Sequence, residues 1–107
     1  MARMRTMRLI VMFDLPTVTP EERSAYARFR KNLIQDGYIM MQESIYSKLA
    51  TNMASAEWMK EKLRKIVPLK GVVQVIVITE KQYGQIEYLL GSPQTAKLDS
   101  VERLVIF

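Results

Sequence analysis

At 107 residues, 49% apolar and 25% charged, the chain suits one soluble domain with a single core rather than a disordered segment. No apolar run approaches the roughly 20 residues that cross a bilayer, and the absence of cysteine excludes disulfides and thiolate metal sites, so the cytoplasm is the expected location. A net charge of +5 favours polyanionic partners, and the absence of histidine leaves carboxylates with a hard cation such as Mg²⁺ as the means of any catalysis.

Arg3, Arg5 and Arg8 form a short basic arm, either a solvated terminus or a set of phosphate contacts. The five apolar residues Leu9 to Phe13 sit in a strand expected over residues 7–14, apolar on both faces and closed by Pro16, which cannot donate to a ladder. Asp14 therefore stands at the carboxyl end of a central strand, where sheet-based sites are commonly built. A helix is predicted from residue 20 to about 36. Thr19 suits its N-cap, Pro20 its first position and Glu22 the capping box, and Gly37 ends it. Tyr26, Phe29 and Leu33, with Ala25 beside them, mark its buried stripe; Arg23, Arg28, Arg30 and Lys31 lie mostly off it and read as a solvated face.

Residues 37–42 and 43–49 are both strand-like, forming either one bent strand or a tight hairpin around Gln42 and Glu43. A second helix is expected over residues 52–66, with Ala56, Met59, Leu63 and Ile66 facing inward and Trp58 packing at the edge of that stripe. The run Val72–Thr79 is the most strand-like in the chain and, interrupted only by Gln74, reads as buried on both faces. Residues 79–83 suit one capped helical turn, 86–90 a short strand, 92–100 a loop and 101–107 a final strand.

The order strand, helix, strand, strand, helix, strand, with a strand-rich tail, predicts an α+β, ferredoxin-like split βαβ sandwich over residues 1–107. Two helices cover one face of such a sheet. The other, apolar face then calls for a two-fold homodimer packed sheet to sheet, with residues 101–107 docking on the partner protomer. Asp14 has two readings at this point. It is one of a pair of carboxylates sharing a cation near the dimer axis, or it caps the loop before the first helix by accepting backbone N–H bonds, which the residues by themselves favour.

Phe13-Asp14 at the strand end, Arg23, Gly37 and the run Gln42-Glu43-Ser44-Ile45-Tyr46, in that order and spacing, resemble the family of the second CRISPR-associated adaptation protein. Residues 79–83 and 86–91 look like the variant of type II, single-effector systems. The resemblance implies a ferredoxin-like homodimer whose C-terminal strand completes the partner's sheet. It also implies a metal-dependent endonuclease acting on RNA or DNA, with Asp14 as the catalytic metal ligand. In spacer acquisition such a dimer bridges two dimers of the CRISPR integrase and acts as scaffold and ruler for double-stranded DNA. Arg3, Arg5, Arg8, Arg23, Arg28, Arg30 and Lys31 are the candidates for its phosphate contacts. The chain departs from common members at Phe13, where tyrosine is frequent, and at Ser47, where an acidic residue often follows the aromatic. A regulatory module holding a small ligand between subunits is a third reading, unsupported by any Gly-rich ligand loop.

Overall fold

The computed structural model describes residues 5–93. The elements run β1 (Met7–Asp14), α1 (Pro20–Gln35), β2 (Ile39–Gln42), β3 (Ile45–Ala50), α2 (Met53–Arg64), β4 (Val72–Thr79) and α3 (Glu80–Tyr83). The four strands form one antiparallel sheet in the order β2-β3-β1-β4, the ferredoxin-like arrangement expected.

Local chemistry sets the element ends. Thr19 Oγ1 accepts from the Glu22 N–H at 3.1 Å while the Glu22 carboxylate accepts from the Thr19 N–H at 2.9 Å, a complete capping box at the start of α1. Past its last turn Gly37 takes a φ of +93°, and the Tyr38 N–H bonds back to the Leu33 carbonyl at 3.0 Å. The strand pair after it is the hairpin of the two alternatives, turning at Glu43 and at Ser44, whose φ is +66°. Asn52 caps α2 through its side-chain oxygen and the Ser55 N–H at 2.8 Å. Thr79 and Gln82 form a second capping box that starts α3 at the end of β4.

Alternation along β1 sends Met7, Leu9, Val11 and Phe13 toward the helices, where all four are buried with Phe29 and Leu33 of α1 and Ala56 and Leu63 of α2. The Phe13 ring is the hub of this core, with centroids 5.1 Å from Phe29, 5.9 Å from Tyr26 and 5.8 Å from Tyr46. Lys48 closes the end of α1 by donating to the Asp36 carbonyl with its ammonium 5.6 Å from the Tyr38 ring, and burial pushes the Tyr38 phenol up to about 12.

Several expectations change at this level. The other row of β1 (Arg8, Ile10, Met12, Asp14) faces away from both helices, and β4 is an edge strand rather than one buried on both faces. Within one chain Val72 and Ile76 are 55% and 48% exposed, while at the other end of that side α3 reaches over Arg8 through Glu80 and Tyr83. Trp58 is not a packing residue: it is 62% exposed, with the Lys62 ammonium 5.0 Å from its ring. It follows Ala56 by two residues, roughly 200° around the helix, which turns it away from the core. Residues 86–90 form no strand, since none of the described residues offers them a ladder partner. Arg8 belongs to β1 rather than to an arm before it. Arg3, the loop at 94–100 and the strand expected at 101–107 lie outside the described residues.

Candidate functional site at the end of the central strand

Asp14 is the last residue of β1 and stands opposite Val72 of β4. The hairpin turn between β2 and β3 reaches the same end of the sheet, because the Phe13 N–H donates to the Ser44 carbonyl at 3.0 Å. On the other side Gly71 presses against the strand exit. A Cβ placed on Gly71 would stand 2.7 Å from the Asp14 carbonyl oxygen and 2.8 Å from Leu15 Cδ2.

The loop leaving this strand is held from α1. Arg23 Nη1 donates to the carbonyls of Val18 at 2.7 Å and Thr17 at 3.3 Å. The Glu22 carboxylate accepts from the N–H groups of Val18 and Thr19, and these bonds, that from Thr19 foremost, hold its pKa below the usual glutamate range. With the capping work done by Thr19 and Glu22, Asp14 is not a loop cap. Its exposed carboxylate has no hydrogen bond or ion pair among the described residues. It ends the row Ile10, Met12, Asp14 on the uncovered side of the sheet.

No three acidic, histidine or cysteine side chains come together among the described residues. One chain therefore does not fit a resident cation by itself, since hard cations take several oxygen ligands. Asp14 supplies one carboxylate, a fraction of a Mg²⁺ site.

The basic candidates divide into two groups. Arg8 is committed: its Nε and Nη2 meet the two carboxylate oxygens of Glu80 at 2.9 and 2.5 Å, and its guanidinium lies 4.2 Å from the Tyr83 ring centroid. Arg23 holds the loop described above, and Arg30 Nε donates to the Tyr46 hydroxyl at 2.9 Å. Burial raises the Tyr46 phenol's pKa while Arg30 opposes that rise. Arg5, Arg28 and Lys31 are exposed and form no ion pair among the described residues, and the last two sit one turn apart on α1.

The Arg8 pair yields a pH prediction. The hydrogen bond from Arg8 lowers the Glu80 pKa. A depressed folded-state carboxylate stabilises above its unfolded pKa and loses that contribution as pH falls through the folded one. Glu80→Gln should therefore lower stability by roughly 0.5–1 kcal/mol at neutral pH, because the pair is partly solvent-screened. The difference between the two proteins, followed by urea melts, should vanish below the usual carboxylate range. A gap that persists at low pH would remove the ion pair as its cause.

A family model described as "CRISPR associated protein Cas2" matches residues 7–86. A protein of Ligilactobacillus salivarius named "CRISPR-associated endoribonuclease Cas2" is 46% identical over 100 residues, covering 94% of this chain and 99% of its own. A protein of the same name from Treponema denticola is likewise 46% identical over 100 residues, with 94% and 99% covered. Among solved structures, one described as "Crystal structure of cas2" matches with a TM-score of 0.56 and 18% identity over 81% of this chain and 88% of that one, a likeness of fold.

Proposed function

The chain belongs to the Cas2 family of CRISPR-associated proteins, and from that premise we propose that it works in spacer acquisition as a homodimer that binds duplex DNA and bridges copies of the CRISPR integrase. The observation that carries this reading is the uncovered side of the sheet. Ile10 stands opposite Ile76, Met12 opposite Gln74 and Asp14 opposite Val72, a mostly apolar surface that α1 and α2 leave uncovered, while α3 holds Arg8 at its far end. Burying such side chains against a second copy contributes about 1.5–3 kcal/mol for each fully covered one. A two-fold axis counts every such contact twice.

In that dimer the positive charge of the helices meets phosphates, which positions a duplex without reading its sequence. Arg28 and Lys31, exposed on α1, and Arg5 are the contacts proposed, whereas Arg8, Arg23 and Arg30 act on the protein itself.

A second reading is a Mg²⁺-dependent endonuclease acting on RNA or DNA through the two Asp14 carboxylates. Two observations favour it: the carboxylate is unpartnered among the described residues, and the relatives are named endoribonucleases. A cation held between the copies would neutralise charge at a scissile phosphate. The chain's own share is to hold the Asp14 carboxylates at fixed strand ends, and with no histidine it offers no neutral-pH proton shuttle.

Asp14→Ala separates the two. The variant should fold and dimerise as the wild type does, because the Asp14 carboxylate bonds nothing among the described residues, and it should support spacer integration by the integrase at the wild-type rate. Cleavage of single-stranded and duplex RNA and DNA across Mg²⁺ concentrations is measured on the same samples. Cleavage lost with Asp14 while integration persists would establish the nuclease as an activity separate from the scaffold. Integration lost by a folded, dimeric Asp14→Ala protein would overturn the scaffold reading.

A further inference from the structure

On the helix side, away from the uncovered sheet face, a groove of about 660 Å³ runs between α1 and the segment 65–70 that joins α2 to β4. Its walls are apolar: Leu15 and Tyr26 on one side, Ile66, Val67 and Leu69 on the other. Leu69 is fully exposed and Val67 is 39% exposed, although both belong to a short segment between folded elements. Three cations line the groove, Arg28 from α1 and Lys65 and Lys70 from the joining segment. Among the described residues Arg28, Lys65 and Lys70 form no ion pair, and Lys70 acts at range on Glu22. Of the two carboxylates present, Glu22 is already committed to the N–H groups of Val18 and Thr19. Glu21 alone opposes the three positive charges.

The groove is built before anything enters it. Its far wall begins at the cap of α2, where the N–H groups of Lys65 and Ile66 bond to the carbonyls of Lys62 and Leu63. It continues through Pro68 and ends at Gly71, which is seated on the Asp14 carbonyl. A preformed wall lowers the ordering cost of binding.

We propose that this groove is the docking site for a short acidic and apolar peptide segment of a protein partner. Such a segment places aliphatic or aromatic side chains on Tyr26, Ile66 and Leu69 and its carboxylates beside Lys65 and Lys70. A small metabolite is disfavoured because the polar groups are long, mobile cations at the rim rather than convergent buried donors. A duplex is disfavoured because its phosphates would meet an apolar floor and the Glu21 carboxylate.

The test uses the 107-residue chain and a fluorescein-labelled peptide of leucine and glutamate, with a lysine-for-glutamate copy as control, read by fluorescence anisotropy. The acidic peptide should bind about tenfold more tightly than the basic copy. The double variant Lys65→Ala/Lys70→Ala, and separately Leu69→Ser, should each weaken it by about fivefold or more. Lys31→Ala, outside the groove, should leave it unchanged. All these positions are exposed, and circular dichroism checks that each variant is folded. Equal binding of both peptides, or binding indifferent to the groove variants, would overturn the proposal. So would displacement of the peptide by duplex DNA that is itself sensitive to Lys65 and Lys70, which would give the groove to nucleic acid. Nuclear Overhauser contacts from Tyr26 or Leu69 to residues 94–107 in the unliganded chain would give it to the chain's own segment instead.

Discussion

Gly71→Ala is expected to destabilise the fold by about 2–4 kcal/mol, through a clash and a backbone strain that act together. Gly71 has a φ of +102°, a conformation that side-chain-bearing residues rarely adopt. An added Cβ would stand 2.7 Å from the Asp14 carbonyl oxygen and 3.0 Å from Leu15 Cα. Both are backbone atoms of the central strand's exit, so neither can swing aside. Either β4 moves out or the end of β1 shifts, and each choice disturbs the registered pair Asp14–Val72. Gly37 supplies the internal comparison. Its φ is also positive, but its nearest neighbour would be the flexible end of Lys48 at 3.6 Å, an ordinary contact. Gly37→Ala should therefore cost only about 1 kcal/mol, the conformational share alone. Urea unfolding of the two variants measures both values. A Gly71 variant no worse than the Gly37 variant would show that the close approach at Asp14 is not a constraint.

Ile76→Glu is expected to leave the monomer folded and abolish the dimer. Ile76 is 48% exposed within one chain and lies beside Ile10 on the uncovered side of the sheet. An exposed charge on an edge strand costs the isolated fold little and blunts the edge against pairing. In a face-to-face dimer the same carboxylate would be desolvated without a partner. Two-fold symmetry places it there twice. Losing two apolar contacts of about 1.5–3 kcal/mol each weakens self-association by roughly 10²–10⁴-fold before any charge penalty is added. Sedimentation velocity should show a monomer for the variant at concentrations where the wild type is a dimer. Leu69→Ser, on the helix side, should not change the assembly state. A dimer that survives Ile76→Glu would move the interface elsewhere.

Features set by short-range interactions were legible in the residues, and those set by distant contacts were not. The start and stop of α1 were legible because Thr19, Pro20, Glu22 and Gly37 act within one turn of where they stand. The strand Met7–Asp14 was legible because an apolar run ends at a proline that cannot join a ladder. The place of β4 in the sheet was not, since its apolar residues look the same on a central strand and on an edge whose open face is apolar. The residues 86–90 mislead for a related reason: strand composition records suitability for a ladder, and a ladder needs a neighbour.

At the site, the position of Asp14 was legible and its bonding was not. Short-range rules made it a plausible loop cap, yet Thr19 and Glu22 had already taken that work. The basic residues show the limit most plainly. Arg8, Arg23 and Arg30 look as free as Arg28 and Lys31 in a list of charges, but Arg8 finds Glu80 72 residues away and Arg30 finds Tyr46 16 residues away. Only the folded chain separates cations that hold the protein from cations free to meet a partner. Gly71 carried a weak signal, a glycine directly before a strand, and nothing local pointed to the Asp14 carbonyl as its contact.

The most direct measurement is native mass spectrometry of the chain mixed with the CRISPR integrase and duplex DNA, with wild type and Ile76→Glu run side by side. The wild type should give one assembly that contains two copies of this chain and integrase on both, and Ile76→Glu should give none. A wild-type complex with a single copy, or a bridged assembly built by a monomeric Ile76→Glu protein, would contradict a scaffold made by pairing the uncovered faces of two sheets.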